Sequence, residues 1–154
     1  DVEDIEWMRP SASIPVASRP VMLGGKRLLD GGVSDPIPVK WMLSRGYEKN
    51  VVVLTRDVKY RKKANPKMQL FLKAVLHKYP AFLKDLEERH IHYNETLEEL
   101  ASLEKEGRIH IIRPSSPIQA AMIERDESNL ERIYQTGRAD MKKDLEKLKA
   151  YLDS

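Results

Sequence analysis

Residues 20–56 read strand, helix, strand, and that order makes them the most α/β-like portion of this chain. Val21-Met22-Leu23 and Lys26-Arg27-Leu28-Leu29 flank Gly24-Gly25, the composition that a tight two-residue hairpin turn requires. Asp30-Gly31-Gly32 follows directly and sets a lone carboxylate on a bend that only glycines are expected to allow. Ser34 or Asp35 then caps an expected helix carrying Ile37, Val39, Trp41, Met42 and Leu43, with Gly46 as its left-handed stop. Val51 to Leu54 is an all-apolar run, the kind expected of a strand buried on both faces of a parallel sheet.

A chain of 154 residues, 41% of them apolar, has the length and the material for one ordinary domain core. Lys and Arg number 27 against 24 Asp and Glu, and a formal charge of +3 is too small to imply a nucleic acid partner. Without cysteine there is no disulfide, no thiolate nucleophile and no cysteine zinc site. No apolar stretch approaches the roughly 20 residues that span a bilayer. Asp1-Val2-Glu3-Asp4 is acidic where a signal peptide is basic, so a cytoplasmic or peripheral membrane location is expected. The chain starts without methionine inside what reads as an amphipathic stretch (Val2, Ile5, Met8), which suggests a piece of a longer protein.

The spacing of Val2, Ile5 and Met8 predicts the tail of a helix stopped by Pro10. Asn65-Pro66 predicts the start of a helix that runs to the break at Pro80. A second, long helix is predicted over residues 80–105, where Phe82 or Leu83, Leu86, His90, Tyr93, Leu97, Leu100 and Leu103 recur at three and four, with Gly107 as its end. Arg108 to Arg113 is a strand candidate closed by Pro114 and Pro117. Ser128-Asn129-Leu130-Glu131 has capping-box spacing, Gly137 interrupts the pattern, and Met141, Leu145, Leu148 and Leu152 define a last amphipathic helix.

A carboxylate that acts as a base must be held rigidly and left open to a nucleophile; a strand end supplies the first condition and neighbouring glycines the second. Asp-Gly-Gly is also an ordinary turn composition. Its surroundings decide between the two. Ser11-Ala12-Ser13-Ile14-Pro15 precedes the hairpin; Leu28-Leu29-Asp30-Gly31-Gly32-Val33, Pro36 and Pro38, Gly46 and Val51 to Leu54 follow. In order and spacing this resembles the carboxyl-terminal part of the catalytic domain of patatin-like phospholipases. The resemblance covers residues 8–56, about a third of the chain. Residues 108–117 and the final helices look like the carboxyl-terminal extension of bacterial members.

The resemblance implies an α/β fold of three layers, helices flanking a mainly parallel sheet, with residues 1–63 as the later part of the catalytic domain and 64–154 as a mainly helical extension. It implies a serine-aspartate dyad acting on lipid carboxylic esters, with Asp30 matching the aspartate and Gly31 and Gly32 the bend that positions it. No metal or organic cofactor is implied, since such chemistry uses one carboxylate and backbone dipoles. The nucleophilic serine belongs to a Gly-x-Ser-x-Gly elbow, and no serine here is framed that way. The chain alone is therefore expected to be inactive and to need an amino-terminal half that carries the serine. A non-catalytic binding or assembly module that keeps the fold, its long helices binding a partner, is the alternative.

Other motifs are weaker. Gly24-Gly25-Lys26-Arg27 lacks the glycine and the Ser or Thr of a phosphate loop. His90 and His92 are two apart on a helix and face different ways, so with His110 they do not make a ligand set. Asn94-Glu95-Thr96 matches a glycosylation triplet without a secretory signal to use it. In the basic run from Arg56 to Lys63, Lys59, Arg61, Lys62 and Lys63 are candidates for lipid headgroup contact at a membrane surface, a solvated loop being the plainer reading. Tyr79, Phe82, Leu86, Tyr93, Leu97 and Leu100 form an apolar stripe that suits core packing first, and otherwise an acyl-chain wall or a partner surface.

Overall fold

The structure, a computed structural model, describes residues 5–121 and 124–154, so Val2 of the first amphipathic stretch lies outside the described residues. The elements are α1 (Met8–Ser11), β1 (Val21–Leu23), β2 (Lys26–Leu28), a 3-10 turn (Gly31–Val33), α2 (Val39–Ser44), β3 (Asn50–Val53), α3 (Pro66–Leu76), α4 (Pro80–Lys105), β4 (Ile109–Ile112) and α5 (Glu127–Asp153). They mix helices with two small sheets, β1 with β2 and β3 with β4. Among the described residues no helix is long and apolar enough to cross a membrane. Two compact units emerge, one from the described residues of Asp1–Pro38 and Lys62–Glu95, the other from those of Val39–Arg61 and Thr96–Ser154.

In the first unit α1 continues through Pro10 to Ser11 instead of stopping at the proline. Pro10 is the third residue of that helix, where a missing N–H removes no intrahelical bond. The hairpin forms as expected: β1 and β2 are antiparallel with Val21 opposite Leu28, and Gly24 and Gly25 take φ of +56° and +73°. Two successive left-handed residues give the turn whose twist matches the paired strands. Asn65 caps α3 by accepting the Met68 N–H at 3.1 Å, with Pro66 in the first turn. This helix ends at Leu76, one turn short of Pro80, and buries none of its residues; Lys73 pairs with Glu87 of α4 at 3.0 Å. The Asn94 side chain grips the backbone of Lys62 from both sides, accepting its N–H at 2.8 Å and donating to its carbonyl at 3.0 Å.

In the second unit α2 begins at Val39 rather than at Ser34 or Asp35. Pro36 and Pro38 force the residues before them away from helical dihedrals, so the helix starts only after the second proline. Gly46 follows it with φ of +83°. Strands β3 and β4 pair in parallel, Asn50 with Ile109 through Val53 with Ile112. Alternation puts Asn50, Val52, Ile109 and Ile111 on one face and Val51, Val53, His110 and Ile112 on the other. The first face belongs to the core, where Val39, Leu100, Leu103, Ile109 and Ile111 are buried. The expectation of a strand buried on both faces fails for β3: Val51 is 41% and Val53 68% exposed. On this face α5 meets His110 of β4, while Val51 and Val53 of β3 stay exposed.

Helix α4 matches its expected limits, 80–105, and Gly107 follows it with φ of +71°. Helix α5 does not match: it is one helix from Glu127 to Asp153, with Gly137 inside it. Its cap is Asp126, which accepts the N–H groups of Ser128 and Asn129 and the Ser128 hydroxyl, so Ser128 is a helical residue and not the cap. A single glycine costs about 1 kcal/mol in a helix, too little to break one this long. Three polar contacts tie α5 to the strands. His110 Nε2 meets Asp144 at 2.5 Å, and its ring stacks on Tyr151 with centroids 5.7 Å apart. The Tyr151 hydroxyl accepts the Asn50 N–H at 2.8 Å and donates to the Arg108 carbonyl at 3.0 Å. Leu54 N–H to Ile112 carbonyl is a regular rung of this ladder, and by its period Asn50 N–H and Arg108 carbonyl would form the terminal one. Tyr151 inserts its hydroxyl into that rung.

Candidate functional site

Asp30 lies two residues beyond β2 and caps the 3-10 turn. Its Oδ1 accepts the Gly32 N–H at 2.8 Å, and its own N–H donates to the Ser13 carbonyl at 3.0 Å. The Ser-Ala-Ser segment and the Asp-Gly-Gly segment are thus bonded through their backbones. Ser13 is buried, and its hydroxyl donates to the Arg9 carbonyl at 2.8 Å, which commits it to closing α1.

Neither Gly31 nor Gly32 has positive φ, so the bend does not require left-handed dihedrals, contrary to the expectation that only glycine permits it. The two glycines also differ. A Cβ on Gly31 would meet nothing within 4 Å, whereas one on Gly32 would lie 3.2 Å from Asp30 Oδ1 and 3.7 Å from an Arg89 terminal nitrogen. Gly32 is needed for close approach; Gly31 leaves its side of the turn open.

Asp30 opens onto a cleft of about 470 Å³ within the first unit. Leu28, Leu29 and Val33 line it beside the aspartate, Pro15 and Val16 come from the preceding loop, and Leu76, Tyr79 and Phe82 form the wall opposite in sequence. Arg27, Asp85, Ser18 and Ser34 add polar groups, and Arg27 donates to the Tyr79 hydroxyl at 3.0 Å. Val16 holds φ of +69°, a dihedral that crowds a β-branched side chain. The apolar stripe of α4 therefore divides between two roles: Phe82, with Tyr79 just before the helix, faces the cleft, and Leu100 belongs to the core of the second unit.

The basic run does not gather at Asp30. Lys59 and Arg61 fall in the second unit and Lys62 and Lys63 in the first. The Lys59 N–H is bonded to Asp57, the Arg61 guanidinium donates to the Val58 and Tyr60 carbonyls, and Lys62 Nζ sits 5.3 Å from the centre of the Tyr93 ring. The histidines also go separate ways. His90 Nδ1 donates to the Glu87 carbonyl, His110 meets Asp144, and His92 lies between Glu88 and Glu95. The bond from Glu95 raises the His92 imidazole above its ordinary value of 6.5.

Sequence reasoning missed Arg89. Its Nε donates to the Gly32 carbonyl at 2.6 Å across 57 residues. Nothing local marks such a residue; the only available signal is that Phe82, Asp85 and Arg89 share one face of α4.

Residues 79–153 match the model of a domain of unknown function, DUF6363. No curated protein and no solved structure matches the chain. The matched segment begins at Tyr79, so it includes Phe82, Asp85 and Arg89, whereas Asp30 lies before it.

Proposed function

We propose that this chain is the aspartate half of a patatin-like serine hydrolase, the later part of a three-layer α/β/α domain with a helical extension, acting on lipid carboxylic esters. The observation that carries this reading is the placement of Asp30: a carboxylate held by the Gly32 N–H, on a residue whose own backbone N–H donates to the Ser13 carbonyl, at the edge of a mainly apolar cleft. A mainly apolar slot with a carboxylate fixed at its edge suits an ester whose acyl chain must leave water while its carbonyl stays within reach of a base.

The nucleophile comes from an amino-terminal half. As its serine oxygen attacks the ester carbonyl, Asp30 takes the hydroxyl proton, and backbone N–H groups of that half hold the developing oxyanion. Asp30 returns the proton to the leaving alcohol, and water then releases the acyl group by the reverse exchange. Neither metal nor organic cofactor takes part in these steps. Lys59, Arg61, Lys62 and Lys63 would act separately, as headgroup contacts at a peripheral membrane surface.

Ester turnover by the full-length parent tests this. Asp30→Asn removes the proton acceptor with little change of shape, and a loss of about 10²–10⁴-fold in kcat is expected for a general base. Equal rates would remove Asp30 from the mechanism. One observation favours the assembly reading: α3 buries none of its residues and leaves Leu70 72% exposed, with Met68 and Phe71 each 50% exposed. If the Asp30→Asn parent hydrolyses esters at the full rate, the assembly reading becomes the better one.

A further inference from the structure

We propose that Arg89 is a positioning residue for Asp30, so that the helical extension completes the site instead of merely following it. The proposal rests on the hydrolase reading above. Asp30 Oδ1 is held by the Gly32 N–H, and the peptide that carries it is tied on its other side, where the Gly31 carbonyl accepts the Asp35 N–H at 2.9 Å and the Ser34 N–H at 3.1 Å; the next peptide, Gly32–Val33, is held less firmly. Glycine has the widest dihedral freedom of any residue, and the turn's own bond from Val33 N–H to the Asp30 carbonyl is long, 3.4 Å. Arg89 restrains this second peptide. Its Nε donates to the Gly32 carbonyl at 2.6 Å, a short bond from a charged donor.

Gly32 is therefore held on both sides: its N–H by the aspartate and its C=O by the guanidinium. The absence of a Cβ gives the carboxylate its room, since an added carbon would sit 3.2 Å from Asp30 Oδ1, whereas at 3.7 Å from Arg89 Nη2 it would make only an ordinary contact. Arg89 forms its bond with the peptide carbonyl, so its hold on the carboxylate is indirect. The same face of α4 carries Phe82 and Asp85 into the cleft. One helix face thus provides both a wall for the substrate and the anchor for the carboxylate.

In the full-length parent, Arg89→Ala should lower kcat for ester hydrolysis by about 10–100-fold with KM within twofold, the size expected when a reacting group shifts by up to an ångström. Arg89→Lys, which keeps a cationic donor, should recover most of the loss. On an Asp30→Asn background Arg89→Ala should cause no further loss, because it acts through the aspartate. In the present chain, Arg89→Ala should speed amide exchange at Gly32 at least tenfold while the far-UV spectrum is kept. Loss from Asp30→Asn combined with wild-type kcat in Arg89→Ala would overturn the positioning role alone. A full multiplicative loss in the double variant, or unchanged Gly32 exchange, would do the same. Equal rates for Asp30→Asn and wild type would instead reject the hydrolase reading and the positioning role with it.

Discussion

Replacing Tyr151 with phenylalanine removes one oxygen atom and opens the end of the β3–β4 ladder. The ring can remain stacked on His110, with Lys49 Nζ 5.0 Å from its centre, so the packing change is small. What goes is the hydroxyl bridge between Asn50 N–H and the Arg108 carbonyl. Asn50 is 7% exposed, and an orphaned buried N–H costs about 1–3 kcal/mol. Arg108 is exposed, so water can serve its carbonyl and the cost there is about 0–1 kcal/mol. Together the substitution should destabilise the chain by about 2 kcal/mol. At a urea dependence of about 2 kcal/mol per molar, the unfolding midpoint should fall by about 1 M with an unchanged slope. Helical circular dichroism as a function of urea measures it. A fall below about 0.2 M would mean that the strands close the terminal rung directly, and that Tyr151 is not part of the ladder.

Gly31→Ala and Gly32→Ala should separate in sign: the first is tolerated or gains about 0.5 kcal/mol by restricting the unfolded chain. The second should lose about 1–2 kcal/mol as the Asp30 bond is displaced, and thermal melts of the two variants would show equal midpoints if the crowding at Gly32 were illusory. Acid should weaken the α5 contacts. The Ser128 hydroxyl bonded to Asp126, and the Ser115 N–H bonded to Asp140, hold both carboxyls below the ordinary 3.8. A carboxyl with a depressed folded value contributes stability that is complete above its unfolded value and lost as pH falls through the folded one. Stability should therefore decline from about pH 4 downward, and an Asp126→Asn, Asp140→Asn double variant should show a shallower decline in pH-dependent melts. An identical slope would remove these two groups from the acid response.

Signals carried by neighbouring residues were readable. Gly24-Gly25 specified the hairpin turn, Asn65-Pro66 the start of α3, and the three-four spacing of α4 together with Gly107 gave that helix at both ends. Local signals in competition were not. Ser128 satisfied the capping box, yet Asp126, two residues earlier, made the bonds, because its carboxylate is a strong acceptor for helix N–H groups. Ser34 and Asp35 are good caps, but the prolines after them outweigh that preference. Long-range pairings left no local trace: Gly32 to Arg89 and Asn50 to Tyr151 join residues 57 and 101 apart. Both compact units take segments from either side of residue 63 for the same reason. Asp30 stands out in the sequence; the cleft beside it, the bond from Arg89 to its turn and the different demands on its two glycines do not.

The grip of Asn94 on Lys62 bears on how this chain would behave in a secretory host. Asn94 is the acceptor of an Asn-Glu-Thr triplet, yet its amide nitrogen already donates to the Lys62 carbonyl from the middle of a helix. An oligosaccharide can be attached only to a chain in which that helix and that bond have not yet formed. Glycan occupancy at Asn94 would then act as a clock, recording how often the transferase reaches the triplet before α4 closes over it.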